Sequence, residues 1–327
     1  MPQPRHRIVD TAATTYYHCI SRCVRRAYLC GTDRVSGKSF DHRKQWIVDR
    51  IKKLSSVFAI EVCAYAIMSN HFHVVLHIDK SGSANWDMDE IIDRWERLFK
   101  LPYLVERYKS GEKLGGLEYD MLVGLVTTWR DRLGDLSWFM RCLNERIARL
   151  ANAEDSCSGR FWEGRFKSQA LLDEGAVMSC MAYVDLNPIR AGVCKSVETS
   201  TFTSIHERLV FAGKSGRRGD AEWLKPLRRP GAKNSQRALM MNEFSYFNLV
   251  DWTGRAIRCG KRGAIPDHIQ PILGKLGIQT DNWVSNIQSL GQKFYRVLGC
   301  VERLRQLAKQ QNQCWVNGLT TAEEFYC

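Results

Sequence analysis

The sequence predicts an α+β fold, and three observations carry that expectation. Two runs rich in β-branched and aromatic residues, residues 60–68 and 71–78, meet at Ser69-Asn70, a pair suited to the turn of an antiparallel hairpin. Residues 44–58 and 138–150 repeat their apolar positions at three and four, the spacing of amphipathic helices. A strand-like run, residues 16–24, precedes the first helix, and another, about 165–172, follows the second. The resulting string β-α-β-β-α-β is ferredoxin-like, interrupted between the hairpin and the second helix.

Each element has its own signature. In the first helix Ile47, Ile51, Leu54 and Phe58 share a face, and in the second Phe139, Cys142, Leu143, Ile147 and Leu150 do so. The insertion, about residues 80–135, opens on Lys80-Ser-Gly-Ser-Ala, a flexible entry, and holds helices over 88–98 and 119–133. From Glu174, apolar Val177, Met181 and Val184 recur at helical spacing. Pro188 disfavours helical geometry just before it, so this helix ends near Leu186. A basic Gly/Pro linker covers about 211–236, and residues 244–252, 271–276 and 283–307 form a small helical C-terminal domain within 237–327. The first 210 residues are then the core. Its helices on one sheet face would leave the other face for nucleic acid, with the 71–78 strand central.

Composition points to a polyanionic partner. The 327 residues carry a formal net charge of +13, unevenly spread. Arg22, Arg25 and Arg26 follow the first strand, Arg160, Arg165 and Lys167 precede the last, and Lys214, Arg217, Arg218, Lys225, Arg228 and Arg229 crowd the linker. Tyr28, Phe161, Trp162 and Phe166 interleave with the first two groups, as stacking on unpaired bases requires. No window is apolar enough to span a membrane and the start lacks a signal-peptide core, so a cytoplasmic protein is expected. Twelve cysteines include no Cys-x-x-Cys pair, which argues for thiols in a reducing compartment. His18, Cys19 and Cys23 are the one cysteine-based metal cluster the spacing allows.

Two constellations carry chemistry. His71-Phe72-His73 places two imidazoles on one face of a strand and Phe72 on the other, half of a site for a divalent ion. Read blandly, these are incidental histidines on a half-exposed strand. Ser179, Tyr183 and Asn187 follow one another at i, i+4 and i+8, so a phenol and a carboxamide project the same way. A tyrosine can be a covalent nucleophile, and an amide oxygen can complete a metal shell. Otherwise Tyr183 is a core-edge residue and Asn187 feeds a turn.

Together the two motifs resemble the single-tyrosine HUH transposases, and most closely the REP-associated tyrosine transposases. Tyr17-His18-Cys19-Ile20-Ser21-Arg22 looks like that family's first strand, and Met68-Ser69-Asn70-His71-Phe72-His73 like its metal strand. Gly159-Arg160-Phe161-Trp162-Glu163-Gly164-Arg165-Phe166-Lys167-Ser168 is similar to its approach to the last strand, and Tyr183-Val-Asp-Leu-Asn187-Pro-Ile-Arg190-Ala-Gly to its tyrosine helix. The likeness covers about residues 14–80 and 134–196. The insertion and the chain after Val193 depart from it. Another branch commonly carries glutamine at the position of Asn187.

The resemblance implies an HUH core acting on single-stranded or hairpin DNA. It implies Mg²⁺ or Mn²⁺ held by His71, His73 and Asn187, attack by Tyr183 to give a 5′-phosphotyrosine and a free 3′-hydroxyl, and rejoining by reversal. Arg190 would bridge phosphate or satisfy helix-end carbonyls. The resemblance leaves open a site within one chain or one shared across a homodimer. Two rival classes stand beside it: a DNA-binding regulator that has lost catalysis, and a metal-dependent hydrolase without a covalent stage.

Overall fold

The computed structural model describes residues 9–24, 29–33, 37–213, 223–228, 238–259, 266, 268–293, 296–314 and 316–326. Arg25, Arg26 and Tyr28, and Lys214, Arg217, Arg218 and Arg229 of the basic linker, lie outside them.

In chain order the elements are β1 (Tyr16–Arg22), α1 (His42–Ser55), β2 (Ile60–Ile67) and β3 (His71–Ile78), then α2 (Lys80–Asn85), α3 (Met88–Glu96), α4 (Tyr103–Lys109), α5 (Gly116–Leu133) and α6 (Leu136–Glu154). There follow β4 (Lys167–Leu171), α7 (Glu174–Asp185), α8 (Asn187–Arg190), α9 (Ser204–Gly213), β5 (Leu227–Arg228) and β6 (Leu239–Asn242). The chain ends with α10 (Glu243–Cys259), α11 (Gln270–Lys275), α12 (Trp283–Lys293), β7 (Val297–Leu298), α13 (Val301–Gln310) and α14 (Leu319–Phe325). The fold is α+β.

A five-stranded sheet in the order β2-β3-β1-β4-β7 organises the molecule, antiparallel throughout except for the parallel β4–β7 pair. β3 is interior, and β1 takes the middle place. Because side chains alternate along a strand, each sheet face reads from one parity. Tyr17, Cys19, Phe72, Val74 and Leu76 enter one core with Ile47 and Ile51 of α1 and Phe139 and Leu143 of α6. Fully burying each such aliphatic or aromatic side chain is worth about 1.5–3 kcal/mol.

The opposite face is not left open. Ala64, Ala66, Val75 and Leu171 meet α7 in a second core, completed by Tyr246 and Leu249 of α10 and Ile287 and Leu290 of α12. Alanines on β2 leave room for α7 to approach, so the expectation of a bare face gives way to a covered one. The sheet end carrying His71 and Arg22 is less covered, since Arg22 is exposed and His71 half-buried.

Two local expectations also change. The flexible entry at 80–85 is the helix α2, capped by Asp79, whose Oδ1 accepts from Ser81 N at 3.1 Å and Gly82 N at 3.0 Å. The helical stretch expected over 283–307 is broken by β7, which lies against β4. There Ala170 N donates to Arg296 O at 2.8 Å and Leu172 N to Leu298 O at 2.9 Å. The insertion packs as an extension of the first core, with Trp95 of α3 stacked on Trp129 of α5 at 4.9 Å. Among the described residues no helix is long and apolar enough to cross a membrane.

Candidate active site

Strand parity places His71 and His73 on the α7 side of the sheet, with Phe72 fully buried on the other. Their rings lie 4.9 Å apart between centroids. His71 Nδ1 donates to Asn70 Oδ1 at 2.6 Å, which leaves its Nε2 for a ligand. His73 is buried, its Nδ1 lies 2.9 Å from His18 Nε2, and its own Nε2 has no hydrogen-bond partner.

The surroundings keep these imidazoles neutral. Burial, helped by the charge of Arg22, lowers the pKa of His71 to about 4. Burial likewise brings His18 down to about 4, against a small opposing effect of Gln169. His73 falls well below the usual histidine range through burial first and then its neighbours His18, His71, Arg190 and Arg22. Neutral nitrogen lone pairs at pH 7 are what a divalent ion requires.

Helix α7 brings the phenol. Asp173 caps its start, accepting from Ala176 N at 2.8 Å. Asp185 ties down its end, accepting from Ile205 N at 2.9 Å and from the Ser204 and Tyr246 hydroxyls. Held between these anchors, the Tyr183 ring meets His73 edge-on at 5.8 Å and His18 at 6.0 Å between centroids. The Arg190 guanidinium carbon lies 4.4 Å from the ring centre. Tyr183 is only 7% exposed, and its hydroxyl abuts α12: a Cβ built on Gly291 would lie 2.3 Å from it.

Asn187 stands one turn beyond Tyr183 and is buried. Its Nδ2 donates to Tyr183 O at 3.1 Å, and its Oδ1 accepts from Arg190 Nη1 at 3.1 Å. An amide oxygen has two lone pairs, so one remains for a cation. Arg190 also donates to Gln288 O of α12, so it joins the tyrosine helix to α12 rather than standing loose.

The basic residues gather at the sheet end that bears His71. Arg22 pairs in register with His71. Alongside, Cys23 bridges Trp162, Val24 N donates to Phe161 O at 2.9 Å and Glu163 N to Arg22 O at 2.8 Å. Arg22, Arg160, Arg165 and Lys167 are all exposed there.

The cluster of His18, Cys19 and Cys23 does not form. Successive residues of β1 face opposite ways: Cys19 and Cys23 sit in the core under α1 and α6, while His18 faces α7. Among the described residues no three His, Cys, Asp or Glu side chains are grouped to hold a metal, so a third protein ligand beside His71 and His73 would have to be of another type, such as Asn187. Gln169, and the pairing of His18 with His73, are what sequence reasoning missed. Their signal is parity combined with register, since His18 opposes Gln169 across β1–β4 and lies diagonally from His73 across β1–β3.

No protein-family model and no curated protein matches the chain. A solved structure of a REP-associated tyrosine transposase bound to a REP hairpin is similar at 14% identity and a TM-score of 0.38, over 70% of this chain and 100% of that one. That likeness is too remote to carry function across.

Proposed function

We propose that this chain cuts and rejoins single-stranded or hairpin DNA by tyrosine transesterification, as the transposases its motifs resemble do. The observation that carries the reading is the meeting of the His71 and His73 pair with a phenol distant in sequence: Tyr183 packs against His73, whose buried Nε2 has no hydrogen-bond partner. A buried nitrogen left without a partner loses its hydration and needs a ligand to recover it. The strand order β2-β3-β1-β4 supports reading the core as ferredoxin-like.

His71, His73 and the second lone pair of Asn187 would hold a divalent ion such as Mg²⁺ or Mn²⁺. When bound, it supplies charge neutralisation at the non-bridging oxygens of a phosphodiester. Tyr183 Oη attacks phosphorus, the new Tyr–O–P bond forms as the P–O3′ bond breaks, and the departing 3′-oxygen takes a proton. Arg190 and Arg22 add positive charge where the phosphate sits, and Arg160, Arg165 and Lys167 hold the flanking backbone. Attack by a 3′-hydroxyl on the phosphotyrosine reverses the step and joins strands.

The near-complete burial of Tyr183 beneath α12 favours a second reading, a regulator that binds DNA without cutting it. Labelled hairpin and single-stranded oligonucleotides, incubated with Mn²⁺ and run on denaturing gels, separate these readings. A shifted protein–DNA band is expected. Free nicked product alone would indicate a hydrolase, and binding without reaction the regulator.

A further inference from the structure

Two side chains line up behind His73. Gln169 Oε1 lies 3.3 Å from His18 Nδ1, and His18 Nε2 lies 2.9 Å from His73 Nδ1, all three residues being buried. Each neutral imidazole has one donor and one acceptor nitrogen, so a single choice at one end fixes the whole chain. An amide oxygen can only accept. His18 Nδ1 must then carry a proton, His18 Nε2 must accept, and His73 Nδ1 must donate to it. The lone pair of His73 is thereby left on Nε2, the atom that has no partner within the protein. The opposite order would put an N–H at that buried position with nothing to receive it, which costs about 1–3 kcal/mol.

We propose that His18 and Gln169 are positioning residues that hold His73 as its Nδ1–H tautomer, with the Nε2 lone pair directed into the site. The relay acts through His73. Its consequence for cation binding rests on the function proposed above, whereas the tautomer itself does not.

The test uses the full chain labelled with ¹⁵N-histidine, without metal at pH 7, together with Mn²⁺ titration. His73 should show a pyrrole-type Nδ1 and a pyridine-type Nε2. Gln169→Met removes the terminal acceptor at nearly constant volume and should leave His73 in mixed tautomers, with Mn²⁺ affinity lowered by about 10–100-fold. Gln169→Glu restores an acceptor and should restore both readouts, which a merely structural role for Gln169 would not require. A protonated His73 Nε2 in the wild type, or an unchanged tautomer in Gln169→Met, overturns the relay. A wild type that has the stated tautomer but binds no Mn²⁺ supports the relay and refutes the metal reading instead.

Discussion

One methyl group at Gly291 tests how α12 meets the phenol. A Cβ there would lie 2.3 Å from Tyr183 Oη and 3.1 Å from Cζ. The ring has little freedom to retreat, because Arg190 stacks on it and His73 and His18 pack at its edges. In an open helix, replacing glycine by alanine gains at most about 1 kcal/mol. Forcing a methyl into a rigid contact costs about 1–3 kcal/mol. Gly291→Ala is therefore expected to destabilise by about 1 kcal/mol net. Gly124→Ala in α5, where nothing lies within 4 Å of the added Cβ, is the matched control and should stabilise. Tyr183→Phe deletes the clashing oxygen and leaves only the ring-carbon contact. In that background Gly291→Ala should recover most of its loss, a coupling of about 1 kcal/mol. Urea unfolding followed by circular dichroism measures all of these proteins. Equal gains at Gly291 and Gly124, or no coupling to Tyr183, would refute the packing of α12 on the phenol.

Three further outcomes follow from the same geometry. Burial raises the Asp185 pKa to about 6 from its ordinary 3.8. The folded state therefore holds its proton longer than the unfolded chain, and stability falls as pH rises between those values. At 1.36 kcal/mol per pH unit the loss is about 3 kcal/mol, and Asp185→Asn should flatten that part of a urea-midpoint profile. His18 and His71 act in the other direction: with folded pKa values of about 4, their contribution is complete above pH 6.5 and is lost as pH falls toward 4. Each should add about 1.4 kcal/mol per pH unit to the slope across that window, and a flat profile would contradict their burial. Arg190→Met removes the cation over Tyr183 and the bond to Gln288 O, so it should cost about 1–2 kcal/mol and increase hydrogen exchange in α12. An unchanged exchange rate would mean that Arg190 does not tie the two helices.

Much of the fold could be read from the sequence where the signal is local. The strand–helix–strand–strand core follows from alternation and from Ile47, Ile51 and Leu54, and the structure ends those elements within a few residues of the expected places. What escaped was non-local. β7 is two residues long and exists because β4 offers an edge, which no periodicity announces. One exception is local: Asp79 turns a Gly/Ser stretch into α2 by capping Ser81 N and Gly82 N. The cover over the histidine face depends on Ala64 and Ala66 admitting α7, a matter of volumes facing one another. At the site, His71, His73, Tyr183 and Asn187 stand out by type and spacing. His18 does not, because its pairing with His73 arises only once β1 lies beside β3 in a specific register.

The proposed strand transfer requires Tyr183 to be the group that attacks DNA. Trypsin releases it within the peptide from Ser168 to Arg190, which contains no internal lysine or arginine. After reaction with a hairpin oligonucleotide and Mn²⁺, nuclease trimming and tandem mass spectrometry should locate a nucleotide-phosphate on Tyr183 in that peptide. The adduct should be absent from Tyr183→Phe. An adduct mapped to any other residue, or one that persists in Tyr183→Phe, would contradict it.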